Sequence, residues 1–355
     1  MAKSSVREQI LVASEGEVPW MLDLSLWFAW HSKRGTLPPQ WTDSSYVEIA
    51  HELGSPAWVP VKPWKAVFKG VDVAIDEGQQ ERTVRYNLAG RTLSASWTLG
   101  PDNDWWQMDH IIASPEDFEP ALELAESLHY EIDESLLLDD SHAGERILLA
   151  IELPRRPLSA LLHDYLGWGE GLLMLQDYER EVDRLLHILD AKIQSLVHDL
   201  AELPGSAMLS PDNLDGQYIS PDLFARYLTP SYSLSCQRAH SARKSFVVHV
   251  GGPMEHLLGP LAAAGVDMVE GVCGPPQSDA PLPEARRKSG PELTLWGGIP
   301  QDWLLETTAL DEFRAGVEQV VDTVADDGNS IIGVADRVPV AAEIERLGML
   351  KSLIK

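Results

Sequence analysis

From about residue 146 onward, short apolar runs alternate with longer segments that favour helices. The runs are continuously apolar rather than alternating, which is typical of strands covered on both faces. Strands and helices in regular alternation indicate a parallel β/α architecture. The predicted strands are 147–153, 206–213, 246–252, 266–271, 293–300 and 330–337, with helices near 178–202, 220–243, 253–264, 281–289, 302–325 and 340–354.

Two earlier segments bring the number of predicted strands to eight. Val18–Leu24 has the pattern of a buried strand, and another strand is expected in the Ala57–Val61 region. We therefore predict a (β/α)8 TIM barrel that forms one domain over residues 1–355, since such a barrel takes about 250 residues and insertions account for more. A doubly wound open sheet is the alternative, but no GxGxxG turn follows the first strand and no GxxxxGK[ST] motif occurs.

The first third of the chain has a different pattern. Helices are predicted at 6–15 and 46–53, and Ser114–Asp117 has the features of a helix start. Between about 71 and 99, apolar and polar residues alternate in stretches separated by turns, which is typical of antiparallel strands. We therefore predict an N-terminal antiparallel β insertion, a hairpin around 66–110.

Charge and cysteine content exclude several classes of function. The 55 acidic and 28 basic residues give a formal charge of −27, which repels phosphate backbones and anionic lipid, so neither nucleic acid nor a membrane is expected as a partner. No run approaches the roughly 18 apolar residues of a membrane span, and the first residues do not resemble a secretory signal, so we expect a cytoplasmic protein. With only Cys236 and Cys273, neither a disulfide framework nor a cysteine-rich zinc module is available.

Polar residues follow the predicted strands, where the catalytic groups of such barrels lie. His249 stands out because two glycines follow it and would let a ligand approach closely. Some of these residues have purely structural alternatives: Asp212 could cap a turn, Asp336 could cap the last helix, and Trp296 could pack in the core. The candidates are Asp23, Trp27, Trp30, His31, Asp212, Asn213, His249, Glu270, Cys273, Trp296, Asp336 and Arg337.

Several segments together resemble the uroporphyrinogen decarboxylase superfamily. The similar stretches are ISPDLFARYLTPSYS (219–233), FVVHVGGPMEHLLGPLAAAGVDMVEG (246–271), PLPEARRKSGPELTLWGGIP (281–300) and IIGVADRVPVAAEIERL (331–347), and weaker likeness extends over most of the chain. The resemblance implies a (β/α)8 barrel. It also implies one of two activities, because the superfamily contains cofactor-free porphyrinogen decarboxylases and zinc-dependent methyltransferases that pass methyl groups between corrinoids and thiols.

The decarboxylase branch carries an arginine-rich motif near the first strand to hold substrate carboxylates. The matching region, 24–38, offers only Lys33 and Arg34 among aromatic residues. A substrate with many carboxylates needs charge-assisted partners, so true uroporphyrinogen decarboxylation is disfavoured. A lyase acting on a smaller carboxylate stays open, with Arg34 or Arg337 as anchor, Asp212 or His249 as proton donor, and no cofactor.

In the methyltransferase branch, an HxC pair at the strand that matches FVVHVGG and a later cysteine together bind zinc. Here His249 is kept, but Gly251 stands in place of the first cysteine and Ala335-Asp336 in place of the second. The remaining oxygen-rich set of His249, Glu270 and Asp336 could bind zinc, iron or manganese, with Cys273 as a further ligand. The alternative is a hydrogen-bonded acid/base group without metal.

We therefore expect a methyltransferase acting on a small methylated substrate, with a corrinoid protein as candidate methyl carrier and a homodimer as candidate assembly. Tryptophan faces attract methylated cations, so Trp27, Trp30 and Trp296 would line the substrate pocket. A decarboxylase and a non-catalytic ligand-binding barrel are the alternatives. The expected catalytic residues are His249, Asp212, Asp336 and Arg337, and the expected substrate-binding residues are Asp23, Trp27, Trp30, His31, Arg34, Asn213 and Trp296.

Overall fold

The computed structural model describes residues 8–10, 18–100, 105–137 and 146–354. The helix predicted over 6–15 therefore lies for the most part outside the described residues. The strands, in chain order, are β1 (Ala57–Val61), β2 (Trp64–Phe68), β3 (Asp72–Glu77), β4 (Glu81–Leu88), β5 (Arg91–Leu99), β6 (Trp105–Asp109), β7 (Leu128–Ile132), β8 (Ile147–Glu152), β9 (Ala207–Leu214), β10 (Ser245–Val250), β11 (Met268–Val272), β12 (Thr294–Ile299) and β13 (Ser330–Val334).

Seven of these strands form a curled parallel sheet in the order β1-β8-β9-β10-β11-β12-β13. All seven coincide with apolar runs that predicted strands. The predicted eighth strand, Val18–Leu24, is reduced to two isolated parallel bridges, from Trp20 to Ile332 in β13 and from Leu22 to Ala57 in β1. One reason is that the Leu22 N–H donates to the Ser55 hydroxyl at 3.0 Å instead of to a neighbouring strand. The fold is therefore TIM-barrel-like, but no eighth regular strand closes the sheet within the described residues.

The inner face of the sheet is layered along the strands. Alternate side chains of a strand point to the same face. The inward positions nearest the middle of the strands are apolar and form one buried cluster, which contains Ile10, Met21, Trp58, Leu148, Ala150, Ala207, Leu209, Val247, Met268, Trp296 and Ile331. Two residues further along, the same faces carry Asp23, Pro60, Glu152, Pro211, His249 and Glu270. A polar layer therefore lies directly above the apolar one, at the carboxyl ends of the strands.

Helices cover the outer face of the sheet. The helix Glu179–Ala201 shows why: Val182, Leu185, Leu189, Ile193 and Leu196 recur at helical spacing and are all buried. No described helix combines the length and the apolarity needed to cross a membrane. The α-helices are Ser25–Arg34, Tyr46–Glu52, Phe118–Ser127, Pro157–Ala160, Gly169–Asp177, Glu179–Ala201, Pro221–Leu223, Thr229–Ser241, Glu255–Ala263, Leu282–Ser289, Leu310–Asp327 and Ile344–Leu353, with π-helical turns at Leu161–Tyr165 and Phe224–Leu228.

Antiparallel sheets lie between the first two strands of the parallel sheet in chain order. Strands β3 to β6 form a four-stranded sheet in sequence order, and β2 pairs with β7 in a separate two-stranded sheet. The insertion thus runs from Trp64 to Ile132 rather than over 66–110. At the predicted helix start, the Ser114 N–H donates to the Asp117 carboxylate at 2.8 Å, ahead of the helix Phe118–Ser127. As shown below, the β2–β7 sheet forms one wall of a cavity.

Candidate active site

His249 and Glu270 form the centre of the polar layer. They face each other in the register of β10 and β11, and His249 Nδ1 is hydrogen-bonded to Glu270 Oε2. The register shifts after Glu270, where Gly271 has φ +97° and a Cβ would overlap the Val250 carbonyl. Only glycine adopts this backbone without strain, so the bulge between Glu270 and Val272 in the pairing of β11 with β12 depends on it.

Asp336 approaches the other side of the same imidazole. Its Oδ1 lies 3.9 Å from His249 Nε2 and 3.4 Å from Arg337 Nε. Asp336 follows β13 and has φ +67°, a left-handed conformation that Asp tolerates better than most residues. The last strand therefore supplies an acid, and His249 is flanked by a carboxylate on each ring nitrogen.

These neighbours determine the proton affinity of the site. Burial lowers the pKa of His249, but the Glu270 and Asp336 carboxylates outweigh burial and raise that pKa to about 9. Burial also raises the pKa of Glu270 to about 7, against the opposing effect of His249. Glu270 Oε1 is buried and has no hydrogen-bond partner. The pair therefore holds a proton on the imidazole at neutral pH, in a position to give it to a ligand.

The His249 group lies in a cavity of about 370 Å³, which we call the His249 cavity. The cavity is strongly polar: Asp23 and Glu152 add two carboxyl groups, and burial raises the pKa of each of them. Glu152 and Arg155 were not among the predicted site residues, although Glu152 occupies the inward position after Leu148 and Ala150 and could have been found by that periodicity. The lining residues are Asp23, Ser25, Pro60, Glu152, Arg155, Leu209, Pro211, Asn213, His249, Glu270, Asp336 and Arg337.

Asn213 occupies the space next to Gly251. Asn213 lines the His249 cavity and has φ +49°. A Cβ at Gly251 would overlap the Asn213 side-chain oxygen. The structure therefore leaves no room for a side chain at residue 251 while Asn213 keeps this position.

Asp212 does not reach the cavity, contrary to its predicted role as proton donor. It is fully buried, and Oδ1 accepts the Arg156 N–H at 2.5 Å while Oδ2 accepts the hydroxyls of Ser210, at 2.8 Å, and Tyr232. Arg156, also fully buried, donates to the Ser235 hydroxyl at 2.7 Å. Alternation explains the outcome, because the inward position here is Pro211. Asp212 is thus part of a buried network behind the strand.

The predicted tryptophan pocket is not assembled. Trp27 is buried in the outer core, and Trp30 packs against His31 and under Arg34, whose guanidinium carbon lies 4.3 Å from the ring centroid. Trp296 belongs to the apolar layer, where its indole N–H donates to the Met21 carbonyl at 3.0 Å. His31 Nε2 is hydrogen-bonded to the Val340 carbonyl at 2.9 Å. None of Trp27, Trp30, His31, Arg34 and Trp296 lines the His249 cavity.

His249, Glu270 and Asp336 do not fit as ligands of a single metal ion. Glu270 bonds to Nδ1 and Asp336 faces Nε2, so the two acids lie on opposite sides of the ring. The described residues contain no group of three His, Cys, Asp or Glu side chains placed to hold a metal. Cys273 is buried, and its thiol faces the Gly274 carbonyl at 3.1 Å. The arrangement is that of an acid/base group.

Comparison with known proteins supports the fold. No family model matches the sequence, and no curated protein matches it. Among solved structures, the chain is similar to a methyltransferase from Methanosarcina mazei, with a TM-score of 0.60 and 12% identity, over 99% of this chain and 98% of that one. A D-psicose 3-epimerase aligns with a TM-score of only 0.36 and 9% identity, over 67% of this chain and 82% of that one. The first likeness shows a shared fold over the full chain.

Proposed function

We propose that this chain is a methyltransferase-like enzyme in which His249 acts as a general acid. The observation that carries the proposal is the imidazole held between Glu270 and Asp336 in the His249 cavity. When a methyl group leaves a small substrate, the bond between carbon and heteroatom breaks and its electron pair stays on the heteroatom. A proton from His249 Nε2 neutralises that charge, and such proton transfer contributes about 10²–10⁴-fold to a rate.

Each neighbour of His249 has a role in this proposal. Glu270 orients the ring by accepting from Nδ1 and stabilises the charged form, while Asp336 faces the nitrogen that gives up the proton. Asn213 and Arg155 line the same cavity and would bind polar groups of the substrate. The methyl acceptor would be the reduced corrinoid of a partner protein, by analogy with the superfamily that the sequence resembles. We assign no step to a metal.

The test uses cob(I)alamin as methyl acceptor and a set of methyl ethers, methylamines and methyl thioethers as donors, with methylcobalamin followed by absorbance. His249→Gln should lower turnover by about 10²–10⁴-fold. The matched control is His240→Gln, because His240 also pairs with a carboxylate, Asp267 at 2.8 Å, but on the surface. Full activity of His249→Gln, or no methyl transfer from any donor class, would count against the proposal. Donor binding without transfer would favour the ligand-binding barrel.

Decarboxylation is a second candidate because Arg155 and Arg337 both line the cavity. Either guanidinium could hold a substrate carboxylate, and His249 would then protonate the carbon from which carbon dioxide leaves. Arg34, the other predicted anchor, packs over Trp30 and is not among the residues that line the cavity. Release of carbon dioxide that is lost in Arg155→Ala and Arg337→Ala, without methyl transfer, would favour this reading.

A further inference from the structure

A second cavity, of about 390 Å³, adjoins the His249 cavity and shares Glu152, Arg155 and Pro211 with it. We call it the tyrosine chamber. One wall is a single face of the β2–β7 sheet, because Trp64, Ala66 and Phe68 of β2 and Leu128 and Tyr130 of β7 alternate along their strands. The insertion therefore places an aromatic wall beside the acid/base group.

Three phenols meet in this chamber. Tyr86, Tyr130 and Tyr165 all line the chamber. Burial, the phenols of Tyr130 and Tyr86 and the Asp164 carboxylate together raise the pKa of Tyr165. The hydroxyls of Tyr46, Tyr227 and Tyr232 elsewhere all donate to a protein oxygen.

The hydroxyls of Tyr86, Tyr130 and Tyr165 make no hydrogen bond to any described residue. Tyr165 is only 6% exposed. Buried polar groups are nearly always hydrogen-bonded. The chamber therefore offers three hydroxyl groups to a bound molecule.

Charge does not select the ligand of this chamber. Lys62 and Arg155 face Glu152 and Asp164 across the lining, with Arg155 and Asp164 3.2 Å apart. Arg155 Nε is buried without a hydrogen-bond partner at the junction of the two cavities. Opposite charges in equal number favour a ligand recognised by ring stacking and hydrogen bonds rather than by net charge.

We infer that the tyrosine chamber binds the aromatic ring of the substrate, with oxygen substituents that meet the three hydroxyls and a methylated oxygen that reaches His249. The inference rests on the proposed function and narrows its substrate to aryl methyl ethers. In the reaction, the methyl carbon–oxygen bond breaks, the oxygen keeps the electron pair and takes the His249 proton to become a phenol, and the methyl group passes to the reduced corrinoid. Solvent then reprotonates His249.

Two neutral probes separate ring recognition from methyl recognition: 4-methoxyphenol and its saturated counterpart 4-methoxycyclohexanol. Calorimetric titration should show at least about 10-fold tighter binding of the aromatic probe, since the two differ mainly in ring stacking. Tyr165→Phe keeps the ring and should weaken binding by about 2- to 10-fold, the effect of one hydrogen bond. Tyr130→Ala should weaken it by more than 10-fold. The control is Tyr227→Phe, whose hydroxyl bonds Asp183 outside the chamber, and it should leave the affinity unchanged.

Equal affinity for the two probes, or binding of 4-methoxyphenol that neither Tyr130→Ala nor Tyr165→Phe weakens, would overturn the inference. Thermal unfolding of each variant establishes whether it is folded. If Tyr130→Ala does not fold, the result for Tyr165→Phe decides. Different results would refute the proposed methyl transfer and the proposed aryl substrate. Methyl transfer from aliphatic donors without aromatic binding would refute only the aryl substrate. Tyrosine-dependent binding without methyl transfer would support the chamber and refute the proposed reaction.

Discussion

Two clusters of ionisable side chains lie at the ends of neighbouring strands, and they differ in how completely they are bonded. Behind β9, both oxygens of the buried Asp212 accept hydrogen bonds, although Arg156 Nε in the same network is buried without a partner. In front of β10, Glu270 has a buried oxygen without a partner, and His249 faces a cavity. A carboxylate with both oxygens bonded is held in one arrangement, whereas a carboxylate with an unbonded oxygen beside a cavity keeps bonding capacity for a ligand. Bonding of the carboxylate oxygens therefore distinguishes Glu270 from Asp212 better than charge does.

The largest effect is expected when Asp212, whose two carboxylate oxygens are both hydrogen-bonded, is removed. Asp212→Ala leaves the Arg156 N–H and the Tyr232 hydroxyl buried without an acceptor. At about 1–3 kcal/mol for each such group, the free energy of unfolding should fall by about 2–6 kcal/mol in urea titrations. Asp222→Ala is the control, because Asp222 is exposed and its loss should cost within about 0.5 kcal/mol. Equal losses in the two variants would mean that the network does not stabilise the fold.

The group of His249, Glu270 and Asp336, which we call the open cluster, should instead make the stability depend on pH. The pKa of His249 is raised from 6.5 to about 9, so its contribution to stability is fully present below about pH 6.5 and is lost as pH rises through about 9. That rise corresponds to at most about 3 kcal/mol. The difference in unfolding free energy between wild type and His249→Gln should therefore shrink from pH 6.5 to 9. His240→Gln serves as the surface control, and a difference that stays constant or grows with pH would contradict the shift.

A substitution at Gly251 tests the contact between the end of β9, which carries Asn213, and the end of β10, which Gly251 follows. Gly251→Ala places a Cβ onto the Asn213 side chain and should lower the unfolding free energy by about 1–3 kcal/mol. Asn213→Ala in the same chain should recover part of the loss, as a double-mutant cycle would measure. Gly348→Ala is the opposite control, because its Cβ meets nothing within 4 Å in the helix Ile344–Leu353 and should stabilise by about 0.5–1 kcal/mol. Additive effects at 213 and 251 would show that the two residues do not clash.

Strand periodicity explains which parts of the molecule could be predicted. Continuous apolar runs located all seven strands of the parallel sheet, and the strand ends brought His249, Glu270 and Asp336 together. Pairing of β2 with β7, across about sixty residues, has no local signal, so the tyrosine chamber was missed. Trp27 and Trp296 pack in the core and do not line the His249 cavity, because packing of the whole chain, and not a local pattern, decides which face a tryptophan takes. The face of Asp212 follows from the register of β9, which the sequence pattern SPDN leaves open.

The smallest effect is expected at Asp336, where the open cluster meets solvent. Asp336→Asn keeps the size and the left-handed backbone, which Asn also tolerates, so stability should change within about 0.5 kcal/mol. It removes a negative charge 3.9 Å from His249 Nε2, so the pKa of His249 should fall below about 9. The alkaline limb of the pH–rate profile should then move to lower pH.

The move should be modest, because the Asp336 side chain is 34% exposed and Glu270 still bonds Nδ1. A limb that does not move would mean that Asp336 leaves the proton of His249 unaffected. A loss of turnover as large as that of His249→Gln would instead give Asp336 a direct contact with the reacting group, and would make the imidazole one of two acids in the open cluster.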